Sequence, residues 1–171
     1  MKYSLVIPCF NEEKNLPHLI KICRKILDRN DTQLILVDNG STDNSKKILL
    51  DYDLKYKNLC VVYVEKNQGY GFGILSGLSK AKGDIMGWTH ADMQTDPNDF
   101  IKGLDFFKDS SNNIFVKGKR YGRPFSDTFF TIGMSIFESL LLRKKLWDIN
   151  AQPTIFSKSF FLSLKNPPND F

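Results

Sequence analysis

The sequence predicts an α/β domain with a mostly parallel central sheet covered by helices on both faces. Two observations predict it. Short apolar runs alternate four times with stretches whose apolar residues recur at helical spacing, and the four polar segments richest in unusual residues each follow an apolar run. In such sheets ligands bind at the carboxyl ends of the strands, where the chain enters each loop. A length of 171 residues, with 42% hydrophobic and 25% charged residues, suits one packed core and excludes a wholly disordered or collagen-like chain.

Tyr3 to Pro8 is a buried strand, and Leu16, Leu19, Ile20, Cys23, Ile26 and Leu27 then follow helical spacing, with Pro17 suited to a first helical turn. Gln33 to Asp38 is the second strand, followed by Asn-Gly-Ser-Thr-Asp-Asn-Ser and a helix through Ile48, Leu49 and Tyr52. Leu59 to Glu65 leads into Asn-Gln-Gly-Tyr-Gly-Phe-Gly and a helix reaching Ala81. Asp84 to Thr89 leads into His-Ala-Asp-Met-Gln-Thr-Asp-Pro and a helix carrying Phe100, Ile101, Leu104 and Phe107. Ile114 to Gly118 is a fifth strand.

The formal charge is +5, and Lys117 to Lys145 holds the whole excess: seven basic residues (Lys117, Lys119, Arg120, Arg123, Arg143, Lys144, Lys145) against Asp127 and Glu138. Between the basic ends lies a run of fourteen nearly all-apolar residues, 129–142. That is short of the roughly 20 residues that cross a bilayer. Residues 126–145 are therefore a candidate interfacial helix on a membrane surface, with a buried core helix as the alternative. Nucleic acid is not an expected partner, since the basic cluster carries no recognition motif. Three scattered cysteines, with no C-x-x-C pair, argue against a disulfide framework or zinc ribbon. The apolar run at the N-terminus is too short for a signal h-region, so a cytoplasmic location is expected.

The four loops carry the candidate chemistry. In the first, Asn11 and Glu12 suit hydrogen bonds to a base or ribose, with Pro8 and Phe10 as apolar contacts; helix entry explains the same residues. In the second, Asp38 ends a buried strand as a site candidate, and Ser41, Thr42 and Asp43 suit a cap. The third loop fits neither a dinucleotide fingerprint nor a P-loop. Gly69 and Gly71 there allow close approach to a ligand, while Gly73 and Gly77 allow helix packing. In the fourth, an extended His90 to Gln94 projects His90, Asp92 and Gln94 to one side, a thin but adequate ligand set for Mg²⁺ or Mn²⁺ shared with substrate phosphates. His90 would favour Mn²⁺ or bond a phosphate. Asp96-Pro97 is a helix start and is left out of the metal set.

Taken together, VIPCFNEE, LVDNGSTD, NQGYG, AKGD and HADMQTDP resemble the family 2 glycosyltransferases, in particular the branch of dolichyl-phosphate mannose and polyprenyl-phosphate sugar synthases. The resemblance runs from residue 3 to about residue 160. It implies a GT-A fold, a nucleotide-diphosphate sugar donor, a divalent metal and inversion at the anomeric carbon. Carried over by position, it puts Pro8, Asn11 and Glu12 beside the nucleoside, with Asp38 and Asn39 at its base or ribose; Asn39 replaces an acid that the family often has. Gly69, Gly71 and His90 complete the expected nucleotide site. The acidic metal motif falls on His90-Ala91-Asp92, so its first acid is missing, and Asp92 with Gln94 match the metal-binding portion of the polyprenyl-phosphate branch.

Arg120 is the expected phosphate-facing arginine. Asp148 is the acid expected to serve if a hydroxyl acceptor needs a general base. The implied acceptor is a polyprenyl phosphate or a glycan, and the implied setting is cell-envelope glycolipid or polysaccharide synthesis on the inner face of the membrane. The chain stops at Asn-Pro-Pro-Asn-Asp-Phe, where family members continue. One catalytic domain over residues 1–171, incomplete at its C-terminus, is therefore expected. A glycosyltransferase-like nucleotide-binding module, or a scaffold module, without turnover is the alternative, favoured by His90 in place of the acid. A sugar nucleotidyltransferase is disfavoured, because no G-x-G-x-R-like phosphate loop lies near the N-terminus.

Overall fold

The computed structural model describes residues 1–108, 114–119, 125–143, 148 and 150–164. The described elements are β1 (Tyr3–Cys9), α1 (Leu16–Ile22), α2 (Arg24–Leu27), β2 (Thr32–Asn39), α3 (Ser45–Asp53), β3 (Leu59–Val64), α4 (Tyr70–Leu78), β4 (Ile85–Trp88), α5 (Asp99–Gly103), β5 (Phe115–Lys117), α6 (Phe125–Leu142), β6 (Thr154–Ser157) and α7 (Lys158–Ser163). The strands form one sheet in the order β3-β2-β1-β4-β6-β5. β1 pairs in parallel with both β2 and β4, and β2 with β3, whereas β6 runs antiparallel between β4 and β5.

The interior strands are apolar because they are covered on both sides. All eight residues of β2 are buried, and only Tyr3 of β1 is not. Alternation then sorts side chains to the two faces. Leu5, Ile7, Leu34, Leu36 and Phe100 join the core beneath α1, α2, α3 and α5, while Val6, Ile35, Val37 and Met86 join Ile74 and Leu78 of α4 on the other face.

The sequence anticipated one helix from Leu16 to Leu27. The structure breaks it at Cys23, whose ψ of 0° is not helical. The helix over Phe100 to Phe107 likewise ends as an α-helix at Gly103 and finishes as a 3₁₀ turn over Leu104–Phe107. Gly103 sits where a Cβ would strike Ile155 Cδ1, so packing requires a residue that weakens the helix. The antiparallel β6 was not visible in the periodicity.

Gly77 lets α4 approach the sheet closely: an added Cβ would lie 2.3 Å from Val6 Cγ1 and 2.9 Å from Val37 Cγ2. The Gly77→Ala variant is therefore expected to lose about 1–2 kcal/mol despite its better helix propensity. Urea denaturation checks this, and an unchanged midpoint would contradict the close packing.

Candidate active site

The order of the strands places a topological switch point between β1 and β4, because the chain moves outward through β2 and β3 and then returns to the opposite side of β1. A crevice opens there at the carboxyl ends. It holds a cavity of about 270 Å³ lined by Pro8, Cys9, Phe10 and Glu12 after β1, Asn39 of β2, Asn67 and Tyr70 around the start of α4, and His90, Ala91 and Asp92 after β4. A larger groove of about 750 Å³ runs along β3 and α4. That groove contains none of the unpartnered buried atoms discussed below.

Asn39 is 3% exposed, and its Nδ2 donates to the Gly69 carbonyl at 2.9 Å. This bond fixes the amide orientation, since a flipped amide would set oxygen against oxygen. Asn39 Oδ1 then has no partner. Gly69, at φ 98°, occupies a conformation open to glycine, which lets its carbonyl reach Asn39. Gly73 leaves room for the same residue, because a Cβ there would lie 3.1 Å from Asn39 Nδ2 and 3.2 Å from Pro8 Cβ.

Tyr70 and His90 stack with ring centroids 4.8 Å apart and planes 9° apart. Burial, aided by the Asp92 carboxylate, pushes the Tyr70 hydroxyl far above its ordinary range, so it remains a donor, and it too is buried without a partner. Burial lowers the pKa of His90, with Lys117 acting in the same direction and Asp92 opposing, so the imidazole is neutral at pH 7. Burial also pushes the Cys9 thiol far up, helped by Glu12 and Asp38, so Cys9 meets a ligand as a small neutral group.

The fourth loop is not extended. Met93 has φ 64°, and the Gln94 N–H donates to Asp92 Oδ1 at 3.0 Å. This turn presents Asp92 at the cavity and keeps the Gln94 side chain out of its lining. Thr89 and Thr95 close the loop with a 3.0 Å hydrogen bond. Asn11 and Asp38 also serve to position the site. Asn11, at φ 55°, donates its N–H to Ser41 Oγ and accepts from the Thr42 N–H at 2.8 Å, and Asp38 Oδ1 accepts from the Ser41 N–H at 3.1 Å. Glu12 does line the cavity, with Oε2 accepting from Asn15 Nδ2.

Gly71 faces a different, apolar cavity of about 130 Å³ beside Trp88, Phe156 and Phe161. Arg120 lies outside the described residues. Asp148 is buried, at φ 46°, with its N–H on Ser135 Oγ of α6, and it does not line the crevice. Sequence reasoning overlooked Asn67 and Tyr70. An aromatic residue directly after the glycine that opens α4 was the available signal for Tyr70.

Asn39 Oδ1 and Tyr70 Oη do not stand alone. Of the five buried side-chain atoms without a partner among the described residues, four belong to Asn39, Tyr70, Gln152 and Thr154, all at the carboxyl edge of β1–β4. Buried polar groups are nearly always paired, so this concentration marks a site that a polar ligand completes. A divalent cation fits on one condition. Among the described residues no three His, Cys, Asp or Glu side chains converge on a point. Asp92 therefore offers the open, one-carboxylate arrangement that a hard cation fills together with substrate phosphates.

The first two loops are bound to each other. Asp43 Oδ2 accepts from the Glu13 N–H at 3.1 Å and its Oδ1 from the Ser45 N–H at 2.9 Å, while Glu13 Oε2 accepts from both nitrogens of Asn44 at 3.0 Å. Burial opposes ionisation of Asp43, but its hydrogen bonds from Ser45 and Glu13 outweigh it and hold the carboxyl below its usual value. The resulting stability is complete above the unfolded-state pKa of about 4 and is lost as pH falls through the lower folded-state pKa. The Asp43→Asn variant is expected to be less stable than wild type at pH 7 and to converge on it in acid. Denaturant titrations at pH 7 and pH 3 would reveal this, and a constant difference would contradict it.

The family description "Glycosyl transferase family 2" matches residues 4–164. The undecaprenyl-phosphate 4-deoxy-4-formamido-L-arabinose transferase of Photorhabdus laumondii is 33% identical over 147 residues, which are 83% of this chain and 44% of that protein. The chain spans 31–44% of the length of the first curated relatives it matches. The crystal structure of S. aureus TarS 1-349 in complex with UDP-GlcNAc is 27% identical, with a TM-score of 0.58 over 72% of this chain and 36% of that one. The mannosyltransferase PcManGT from Pyrobaculum calidifontis, in complex with GDP-Man and Mn²⁺, shares the fold at 17% identity, with a TM-score of 0.72 over 99% of this chain and 48% of that one. A parallel sheet with its crevice at the β1–β4 switch point, matched over 161 consecutive residues, establishes that the chain belongs to glycosyl transferase family 2 and has the GT-A fold.

Proposed function

We propose that this chain is a catalytic domain that transfers a sugar, with inversion, from a nucleotide-diphosphate sugar to a polyprenyl phosphate in cell-envelope glycolipid synthesis. The observation that carries the reading is the set of unpartnered polar atoms along the carboxyl edge of the sheet, flanked by Asp92 and His90. Two features of the relatives support it: their names include undecaprenyl-phosphate sugar transferases and dolichyl-phosphate glucosyltransferases.

In this reading the nucleoside lies in the cavity against Pro8, Phe10 and Asn39, with its diphosphate toward Asp92. Asp92 would hold Mg²⁺ or Mn²⁺, which would supply positive charge to the departing diphosphate. Asp92 is held for this by its turn with Gln94, and Tyr70 supports the flat face of His90. His90, being neutral, donates or accepts one hydrogen bond without adding charge. Arg120 is assigned to the phosphates from its sequence position. An incoming phosphate oxygen is already anionic, so positioning and electrostatic stabilisation suffice and no general base is needed. A glycan hydroxyl would need one, and Asp148 is not among the residues that line the cavity.

The membrane assignment rests on α6. Met134, Ile136, Phe137, Leu140 and Leu141 are each more than half exposed, which supports the interfacial reading, and Arg143, Lys144 and Lys145 follow directly. Among the described residues no helix is long and apolar enough to cross a membrane. We infer that α6 lies on the surface of an anionic bilayer.

Calorimetry with UDP, GDP and their sugar conjugates, with Mn²⁺, Mg²⁺ or a chelator, tests the donor reading. One nucleotide is expected to bind in a metal-dependent way, and Asp92→Ala to weaken that binding by at least about 10-fold. Absence of binding by the folded chain would favour the scaffold alternative. The triple variant Ile136→Ser, Phe137→Ser, Leu140→Ser is expected to abolish sedimentation with anionic liposomes while nucleotide binding persists. Retained sedimentation would remove α6 from the membrane reading.

A further inference from the structure

Two of the unpartnered atoms, Gln152 Oε1 and Thr154 Oγ1, belong to the segment that enters β6, on the opposite side of β4 from β1. β4 and β6 pair Ile85 with Ser157 and Trp88 with Thr154. Gln152 stands two residues before Thr154 and His90 two residues after Trp88, so both lie just past this end of the ladder. On the other side of β6, β5 pairs Lys117 with Thr154, and the Gly118 N–H donates to the Pro153 carbonyl at 2.8 Å. Gly118 admits no side chain, because a Cβ there would fall on the Gln152 carbonyl. Gln152 is thus packed against the end of β5, and Thr154, fully buried, follows two residues later at the start of β6.

An amide oxygen without a donor calls for a ligand that brings one. Ionised diphosphate oxygens only accept, and the nucleobase is assigned to the cavity on the β1 side of β4. Sugar hydroxyls both donate and accept, and the sugar is the part of the donor that lies beyond the diphosphate, toward the acceptor. A threonine hydroxyl can take up either role beside it.

We propose that Gln152, backed by Thr154, hydrogen-bonds a hydroxyl of the sugar being transferred and so sets which nucleotide sugar the chain accepts. This rests on the donor reading above. A site built to pair a substrate hydroxyl discriminates strongly against a ligand lacking it, since its buried polar atoms are then left unpaired.

The test compares wild type with Gln152→Leu by calorimetry in Mn²⁺, using UDP, GDP, UDP-glucose, UDP-N-acetylglucosamine and GDP-mannose as probes. Circular dichroism and thermal melts verify folding, and Thr154→Val makes the same comparison if Gln152→Leu does not fold. The expected result is an unchanged affinity for the bare nucleoside diphosphate, an affinity about 10-fold or more lower for the preferred sugar conjugate, and a flattened preference among conjugates. Unchanged affinity for both ligands, or a parallel fall in both, overturns the role of Gln152 while leaving the donor reading intact. Failure of every nucleotide to bind wild type overturns the donor reading, and this proposal with it.

Discussion

The parallel pairing of β1 on both of its edges is the constraint from which the rest of the site follows. With β2 on one side and β4 on the other, the chain must leave β1 in one direction and later return in the opposite one. The loops after β1 and β4 therefore diverge and leave space between them at the strand ends. Backbone hydrogen bonds on both edges, and burial on both faces, hold the floor of that space: Leu5, Val6 and Ile7 have no exposed surface. The polar residues above it lie on the loops that leave the strands.

The rim is stiffened by short-range polar bonds more than by packing. The first and second loops exchange backbone and side-chain hydrogen bonds through Asn11, Glu12, Glu13, Ser41, Thr42, Asp43 and Ser45. Their composition, rich in Asn, Asp, Ser and Glu, is what two loops need when each satisfies the other's backbone. Residues that look like ligands in such a stretch are thus divided between positioning and contact. Asn11 and Asp38 hold the loop, whereas Glu12 and Asn39 reach the cavity. The same division occurs in the fourth loop, where the Gln94 backbone turns Asp92 toward the ligand.

The acceptor side has a different construction. β6 enters antiparallel beside β4, so its first residues, not its last, reach the carboxyl edge. The residues just before β6 consequently lie at that edge, with Thr154 paired to Trp88. The α4 face continues from there as an apolar wall of Trp88, Phe115, Phe156 and Phe160, in which Phe115 stacks on Phe156 at 5.9 Å.

Residues near one another in sequence determined much of this protein. Apolar runs such as Leu34 to Val37, and the spacing of Leu16, Leu19 and Ile20, specify strands and helices through side-chain periodicity, which is a local property. The placement of the unusual loops after the strands followed from the same alternation, and with it the crevice that holds Pro8, Glu12, Asn39, His90 and Asp92. Tertiary structure alone decided which polar atoms remain without partners. That Asn39 Nδ2 is taken by Gly69, that Tyr70 lies flat on His90, and that Thr154 pairs with Trp88 all depend on contacts between residues 20 to more than 60 positions apart. Such contacts are set by strand order and register, and no periodicity along the chain encodes them.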